Sequence, residues 1–233
     1  FKEWKESPYP AQGIECQTCH MPPDGITTNV APGMGGVERD PMTIHAHTMP
    51  GSASVQLLQK TVAMTVTTQI SGTRLSVDVA ITNIFAGHHV PTDYPGRNMI
   101  LVVKATDAEG HELTQSSGPT VPQWGGAGSL PDDYAGRPGK GFAKILRDAR
   151  TGQWPVVNYW KQAFIQSDNR IAAGATDVSH YEFQAPAGGG VRVVGTLLFR
   201  RLFIVQAREK GWNTPDVVMA HKEEVVPAAE QGR

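Results

Sequence analysis

Two cysteines and a histidine near the amino terminus are the part of this sequence with the clearest chemistry. Cys16-Gln17-Thr18-Cys19-His20 has the C-x-x-C-H spacing of covalent haem attachment. Two thiols three positions apart on a helical turn can both reach the vinyl groups on one edge of a porphyrin, and the adjacent imidazole then offers a nitrogen to the iron. Cys16 and Cys19 are also the only 2 cysteines of the chain. The motif predicts one covalent haem c, held by Cys16 and Cys19, with His20 as the first iron ligand.

Two other kinds of site use the same residue types. A redox dithiol of thioredoxin type also has C-x-x-C, but it belongs to a βαβ pattern that the surrounding sequence does not show. A zinc site of Cys2His2 type would need two more ligands, which His45 and His47 could supply. The histidine directly after the second cysteine favours haem over both.

The second axial ligand should come from turn-rich sequence that can fold over the porphyrin. His47 is the first choice, because it follows His20 by 27 residues (47 − 20) and lies in the same region. His45 is two positions away and would share a side with His47 in an extended segment. We expect four methionines to act as sulfur ligands of the iron or to pack against the porphyrin. They are Met21, Met34, Met42 and Met49.

A second histidine cluster lies between two predicted strands, at residues 87–97. Loops at the end of a rigid β scaffold often carry functional groups. His88 or His89 could bind the iron from this side, and the planar guanidinium of Arg97 could pair with a haem propionate. A turn held together by hydrogen bonds is the structural alternative, and both interpretations stay open. Further along, residues 168–170 indicate a polar turn closed by a salt bridge.

The elements that must position these residues are mostly strands. Residues 73–81 place large apolar side chains at every second position, as in a half-buried strand, and Ser71-Gly72 joins them to the β-rich residues 61–70. Seven or eight strands with turns between them predict an immunoglobulin-like antiparallel β-sandwich. A long surface loop is expected over residues 116–141. The remaining predicted strands cover residues 99–106, 142–148, 160–166, 178–183, 191–203 and 217–226.

The amino-terminal region differs from the rest of the chain in having few regularly spaced apolar residues. We expect it to depend on the haem for order, which divides the chain into a haem c-binding segment, residues 1–55, and a β-sandwich domain, residues 56–233. The formal net charge of −1 gives no reason to expect nucleic acid as a partner. No apolar run predicts a membrane span. Because the chain starts at Phe1, a processed or trimmed terminus is expected.

Several motifs together resemble a known family. Residues 16–22, C-Q-T-C-H-M-P, and residues 47–51, H-T-M-P-G, resemble the haem segments of bacterial multihaem cytochromes c of the cytochrome c554-like type, where H-x-F-x-G follows C-x-x-C-H-M-P. Residues 83–97 resemble the N-x-x-A-G-H-x-x-P-T-G element of their β-rich part, and Trp160, residues 168–171 and residues 197–200 resemble the same module. This chain departs in having Met49 and Asp93, where the family has Phe and Gly, and a single haem motif. The resemblance implies electron transfer and supports His47 as a ligand.

These observations predict a monohaem c-type cytochrome that passes single electrons between redox partners outside the cytoplasm. Haem c is assembled on the outer side of an energy-transducing membrane, so the expected location is periplasmic or extracellular. The expected partners are other redox proteins or haem subunits, including further copies of this chain. Two alternatives stay open. One is a haem enzyme whose sixth iron position is free for peroxide or small-molecule chemistry. The other is a partner-binding subunit in which the haem only stabilises the amino-terminal segment.

Overall fold

The computed structural model describes residues 1–92 and 94–228, and over these residues the protein is mainly β. The described helices are short: α1 (Lys2–Lys5), α2 (Cys16–His20), α3 (Val55–Thr61) and α4 (Ile204–Glu209). The described strands are β1 (Val62–Ser71), β2 (Arg74–Asn83), β3 (Asn98–Asp107), β4 (Gln115–Ser117), β5 (Gly139–Phe142), β6 (Lys144–Asp148), β7 (Ala163–Asp168), β8 (Thr176–Gln184), β9 (Val191–Arg200) and β10 (Val217–Val226).

Two four-stranded antiparallel sheets make up the body of the fold. One has the strand order β1-β2-β8-β4, the other has the order β10-β9-β3-β5, and β6 and β7 form a separate two-stranded sheet. The hairpin predicted around Ser71-Gly72 is confirmed, because β1 and β2 pair in continuous register from Val62 opposite Asn83 to Ser71 opposite Arg74. The arrangement confirms the expected β-sandwich. The division into two domains at residue 55, where α3 begins, stays a prediction.

The core between the two sheets follows the period-two pattern of the sequence. Every second side chain of β2 is fully buried. These side chains share one apolar cluster with side chains of β3 and β9. Burying side chains of this size contributes about 1.5–3 kcal/mol each, so the sandwich is a rigid support for its loops. The residues concerned are Leu75, Val77, Val79 and Ile81 of β2, Met99, Leu101 and Val103 of β3, and Val191, Val193, Leu197 and Phe199 of β9.

The first half of strand β3 is buried on both faces, which explains the unbroken apolar run of residues 99–103. Its Ile100 points away from the sandwich core into a second apolar cluster. Val121 and Trp124 of the predicted surface loop belong to that cluster, as does Phe203 just before α4. The expected loop over residues 116–141 therefore covers the outer face of a sheet with buried side chains, and β5 begins inside it.

Three predicted strands have different limits in the structure. The strand expected at 142–148 is divided into β5 and β6, which belong to different sheets, because Asn169 hydrogen-bonds the backbone nitrogen of Ala143 at 2.9 Å and redirects the chain. The strand expected at 191–203 ends at Arg200, and α4 follows. The strand expected at 160–166 begins at Ala163.

The end of β9 is fixed by a buried arginine. The guanidinium of Arg200 binds both carboxylate oxygens of Asp216, at 2.8 and 2.7 Å. It also donates to the carbonyl oxygens of Gly125, at 2.9 Å, and Asp132, at 2.7 Å. Since the Arg200 side chain is only 4% exposed, this charge is compensated almost entirely by protein groups. Arg200 thus ties the covering loop to β9 and to the segment before β10.

Removing the carboxylate partner should therefore destabilise the fold strongly. We expect Asp216→Ala to lower the free energy of unfolding by about 3–5 kcal/mol, because it leaves a buried guanidinium without its counter-charge. Glu223→Ala is the matched control. It breaks an equally bidentate pair with Arg192, but this pair is exposed, so its loss should leave the free energy of unfolding nearly unchanged. Urea denaturation of both variants measures the difference, and equal losses would contradict the assignment.

Candidate functional site

Helix α2 presents the two cysteines and His20 together. Its first turn is closed by a capping box, in which the backbone nitrogen of Glu15 donates to the Thr18 hydroxyl at 3.2 Å and the Glu15 side chain accepts from the backbone of Thr18. Cys16 and Cys19 lie one helical turn apart, and neither forms a disulfide. Both line the same cavity as His20. The local structure therefore gives the C-x-x-C-H motif the short helical turn that thioether attachment needs.

The cavity lies between the amino-terminal segment and one end of the sandwich. Its volume is about 480 Å³, within the range of roughly 300–1,000 Å³ typical of cofactor sites. Its wall is mainly apolar, and residues from both parts of the chain contribute to it. A porphyrin ring, which is flat and apolar, suits such a lining. The apolar wall residues include Trp4, Ile14, Leu57, Leu58, Phe85, Val90, Met99, Phe199 and Met219.

His20 is held in one orientation by a backbone carbonyl. Its Nδ1 lies 2.6 Å from the carbonyl oxygen of Pro50. A carbonyl oxygen only accepts hydrogen bonds, so Nδ1 carries the proton and Nε2 keeps its lone pair. A hydrogen bond of this kind fixes the tautomer of metal-binding histidines and raises their basicity. The ring is thus prepared to offer Nε2 to a metal.

His88, in the loop between β2 and β3, faces His20 across the cavity. Its Nδ1 lies 3.0 Å from the carbonyl oxygen of His89, which again leaves Nε2 as the free acceptor. The two ring centroids are 6.3 Å apart and the ring planes differ by 17°. A metal–imidazole bond is about 2 Å long and the ring centre lies about 1 Å further back, so imidazoles on opposite sides of one metal have centroids about 6 Å apart. The pair has a spacing at which both imidazoles could bind one metal ion.

The loop that carries His88 is shaped by a fully buried asparagine at the end of β2. Asn83 donates from its side-chain amide to the carbonyl oxygens of His88, at 2.9 Å, and Ile171, at 3.2 Å. Its amide oxygen accepts from the backbone nitrogen of Ala86 at 3.0 Å. Satisfied buried amides of this kind hold a loop in a single conformation. Asn83 accordingly positions His88 without lining the cavity.

The amino-terminal segment packs directly against the same loop. A Cβ atom placed on Gly87 would lie 3.0 Å from Tyr9 and 3.3 Å from Trp4, so both aromatic rings approach the backbone beside His88 closely. Glu3 of α1 accepts from the backbone nitrogen of His89 at 3.1 Å. It also pairs with Arg170 at 2.8 Å. These contacts close one side of the cavity.

The protonation of two groups reflects this packing. Burial lowers the pKa of the His88 imidazole below its usual value, and the neighbouring His20 lowers it further. Burial alone would raise the pKa of Glu3, but the hydrogen bond and charge of Arg170 hold that pKa below its ordinary value. His88 is therefore kept neutral, as a metal-binding imidazole must be, while Glu3 stays ionised.

The other predicted site residues lie in different places. His45 and His47 are exposed and lie outside the cavity wall. His89 takes part through its backbone nitrogen, as described above. Arg97 does line the cavity, and its guanidinium donates to the carbonyl oxygen of Thr92 at 3.3 Å. Of the methionines proposed as sulfur ligands, Met49 lines the cavity, whereas the other three, Met21, Met34 and Met42, do not.

Four contributors to the site were not predicted from the sequence. Pro50 acts through its carbonyl oxygen, which no side-chain pattern reveals. Trp4 and Tyr9 lie far from His88 in sequence, and only the fold brings them onto Gly87. The role of Asn83 could have been inferred from the sequence, because this polar residue ends an otherwise alternating strand. It also begins the motif that resembles N-x-x-A-G-H. The predicted salt bridge of the 168–170 turn is present, between Arg170 and Asp168 at 2.8 Å.

Comparison with known proteins gives an informative match among solved structures. No protein-family model and no curated protein matches the sequence. Among solved structures, a penta-heme cytochrome c552 from Thermochromatium tepidum matches with a TM-score of 0.65 and 25% identity, covering 97% of this chain and 50% of that one. A PapD-like domain of human CEP192 matches at 6% identity over 74% of this chain and 87% of that one, but its TM-score of 0.26 is too low to bear on the fold.

The cytochrome match supports a cytochrome c-like relationship. This chain spans about half the length of that cytochrome. No helix among residues 1–92 and 94–228 is long and apolar enough to cross a membrane.

The close packing at Gly87 gives a direct test of the site. We expect Gly87→Ala to lower the free energy of unfolding by about 1–3 kcal/mol, because the added methyl group must displace Tyr9 or Trp4. The same displacement should disturb the ring of His88, which shows as a reduced low-spin fraction in the visible spectrum of the haem-loaded protein.

Gly51→Ala is the matched control, since Gly51 also lines the cavity but a Cβ there would meet only the carbonyl oxygen of Met49, at 3.9 Å. This variant should stay within about 0.5 kcal/mol of the wild type. Equal effects of the two substitutions would show that the aromatic contact on Gly87 does not position the loop.

Proposed function

We propose that this chain binds one haem c covalently and transfers single electrons as a c-type cytochrome or as a unit of a larger one. The observation that carries the proposal is the pair of imidazoles, His20 and His88, facing each other 6.3 Å apart across a cavity that Cys16 and Cys19 also line. Thioether anchors, two nitrogen ligands and an apolar enclosure are the complete set of groups that a six-coordinate haem c requires.

Each residue has a separate role in this proposal. Cys16 and Cys19 would hold the porphyrin, and His20 and His88 would supply the nitrogen ligands to its iron. The bound haem supplies one-electron redox chemistry. The carbonyl oxygens of Pro50 and His89 keep the two Nδ1 atoms protonated, which makes both imidazoles better donors to the metal. Electron-rich ligands stabilise the oxidised iron, so they favour a low reduction potential.

His88 is proposed as the second ligand in preference to His47. His88 lines the cavity and has its Nε2 free, whereas His47 is exposed and lies outside the cavity wall. An iron with two protein ligands has no open position for a substrate. The facing imidazoles therefore support electron transfer over the alternative of a haem enzyme with a free sixth site.

The proposed location and partners of the protein follow from the chemistry of haem c. Because haem c is attached outside the cytoplasm, we propose a periplasmic or extracellular location. With one C-x-x-C-H motif, the chain must pass its electron to a redox centre elsewhere. The match to half of a penta-heme cytochrome supports the idea that this chain's haem works next to other haems. The proposed partners are therefore haem-carrying proteins.

The covalent attachment is tested by removing both thiols. We expect the wild-type protein, matured in a host that assembles haem c, to keep its colour after denaturation and acid–acetone extraction. Cys16→Ala/Cys19→Ala should lose all haem in the same extraction, because only axial bonds would remain. Mass spectrometry of the intact chain checks this result, and a wild-type chain without the mass of one haem would remove the proposal.

The axial ligand is tested by spectroscopy on single variants. We expect the wild type to be low-spin and unreactive toward carbon monoxide in the reduced state. His88→Ala should become high-spin and bind carbon monoxide, since the variant opens one axial position. His47→Ala is the control and should keep the wild-type spectrum. A low-spin spectrum that survives in His88→Ala and disappears in His47→Ala would reverse the assignment.

A further inference from the structure

A second cavity, here called the outer cavity, lies against the sheet that contains β9 and β10. Its volume is about 680 Å³, which is large enough for a small organic molecule. Leu198 and Val218 line the outer cavity, whereas their chain neighbours Phe199 and Met219 line the cavity described above. Within the described part of the chain, no residue lines both cavities. The outer cavity is therefore a separate candidate site.

Some apolar side chains of the outer cavity are only partly covered. Leu198 and Leu202 are buried and belong to the apolar cluster outside the sandwich core. Trp212 and Val218 also line the outer cavity, but they are 51% and 43% exposed. Covering such side chains removes apolar surface from water, which is favourable. A ligand with an apolar body would therefore gain affinity from this wall.

Three arginines line the outer cavity, and two of them are already paired with carboxylates. Arg200 binds Asp216, as described above. Arg208 binds Asp132 at 2.7 Å and Asp133 at 2.9 Å. The charges of these two arginines are compensated within the protein, so neither needs a counter-charge from a ligand.

Arg201 is the third arginine, and its surroundings are different. Its Nε is buried and has no hydrogen-bond partner. Among residues 1–92 and 94–228, no hydrogen bond or ion pair involves its guanidinium. A buried donor without an acceptor is rare in folded proteins, because leaving it unpaired is unfavourable. Arg201 thus offers an uncompensated positive charge to an occupant of the outer cavity.

We propose that the outer cavity binds a small organic monocarboxylate. Its carboxylate pairs with Arg201, whose planar guanidinium matches a carboxylate with two parallel hydrogen bonds. Its apolar part covers Trp212 and Val218. Asp132 and Asp216 also line the outer cavity, and their charge disfavours an anion with more than one negative charge, such as phosphate. The proposal goes beyond the function proposed above and does not rest on it, since the two cavities share no described residue.

The test uses the full, haem-loaded chain with 4-phenylbutyrate as the probe and 4-phenylbutyramide as its neutral match. We expect isothermal titration calorimetry to give a dissociation constant of about 1 mM or lower for the carboxylate. The constant for the amide should be at least about tenfold higher, because only the carboxylate forms a charge-assisted pair with Arg201. Inorganic phosphate should not compete with the probe.

Three results of these titrations would overturn the proposal. They are the absence of carboxylate binding up to about 10 mM, equal affinities for the carboxylate and the amide, and displacement of the probe by phosphate. This comparison uses the wild-type protein alone, so it decides the question even if a variant at Arg201 does not fold.

Variants then assign the binding to Arg201. Arg201→Gln keeps a hydrogen-bond donor but removes the charge, and it should weaken binding of 4-phenylbutyrate by at least about tenfold. Arg192→Gln is the matched control. It makes the same change of charge in β9, but Arg192 is exposed and paired with Glu223, so the control should titrate like the wild type. Equal binding by wild type and Arg201→Gln would overturn the proposal.

A further variant tests the apolar part of the site. Trp212→Ala should weaken binding of 4-phenylbutyrate and of its amide by the same factor, since both molecules share the phenyl group that covers Trp212. Unchanged binding of the carboxylate in Trp212→Ala would show that the probe binds outside the outer cavity, and it would overturn the proposal. Thermal unfolding without the probe checks that each variant is folded.

Discussion

The rest of this structure depends on two imidazole rings that must face each other across one apolar space. His20 comes from a short helix in a region with little core of its own, and His88 comes from a loop at the end of the sandwich. Neither part can fix the separation alone. It is set by backbone carbonyls on the two Nδ1 atoms and by the docking of Trp4 and Tyr9 onto Gly87. A small change in any of these contacts would move one imidazole ring away from its position opposite the other.

The sandwich supplies the stiffness that this geometry needs. Met99 of β3 and Phe199 of β9 belong to the buried core and also reach the cavity wall, so the site is continuous with the packed core of the sandwich. The outer face of the same sheet is covered by the long loop that Arg200 ties down. A β-sheet buried on both sides is a fixed support. The loop between β2 and β3 is positioned by the strands of the sandwich to which it is attached.

The sequence was most informative where one local pattern decides the structure. The alternation along β2 predicts its buried face, and the spacing of Cys16, Cys19 and His20 predicts one shared helical turn. It was least informative about which second histidine lines the cavity, because nearness in the chain favoured His47, whereas the fold brings His88 there. The covering loop and the division between β5 and β6 depend on contacts with distant residues, such as Asn169. Periodicity within a segment carries no information about such partners.

The contact between Glu3 and Arg170 has a consequence for how the molecule is assembled. Glu3 lies in α1 and Arg170 lies beyond β7, so the pair fastens α1 to the sandwich. If the cavity holds the proposed haem, the cofactor would have to enter before this ion pair forms. Attachment to Cys16 and Cys19 would then precede the docking of α1 onto the sandwich.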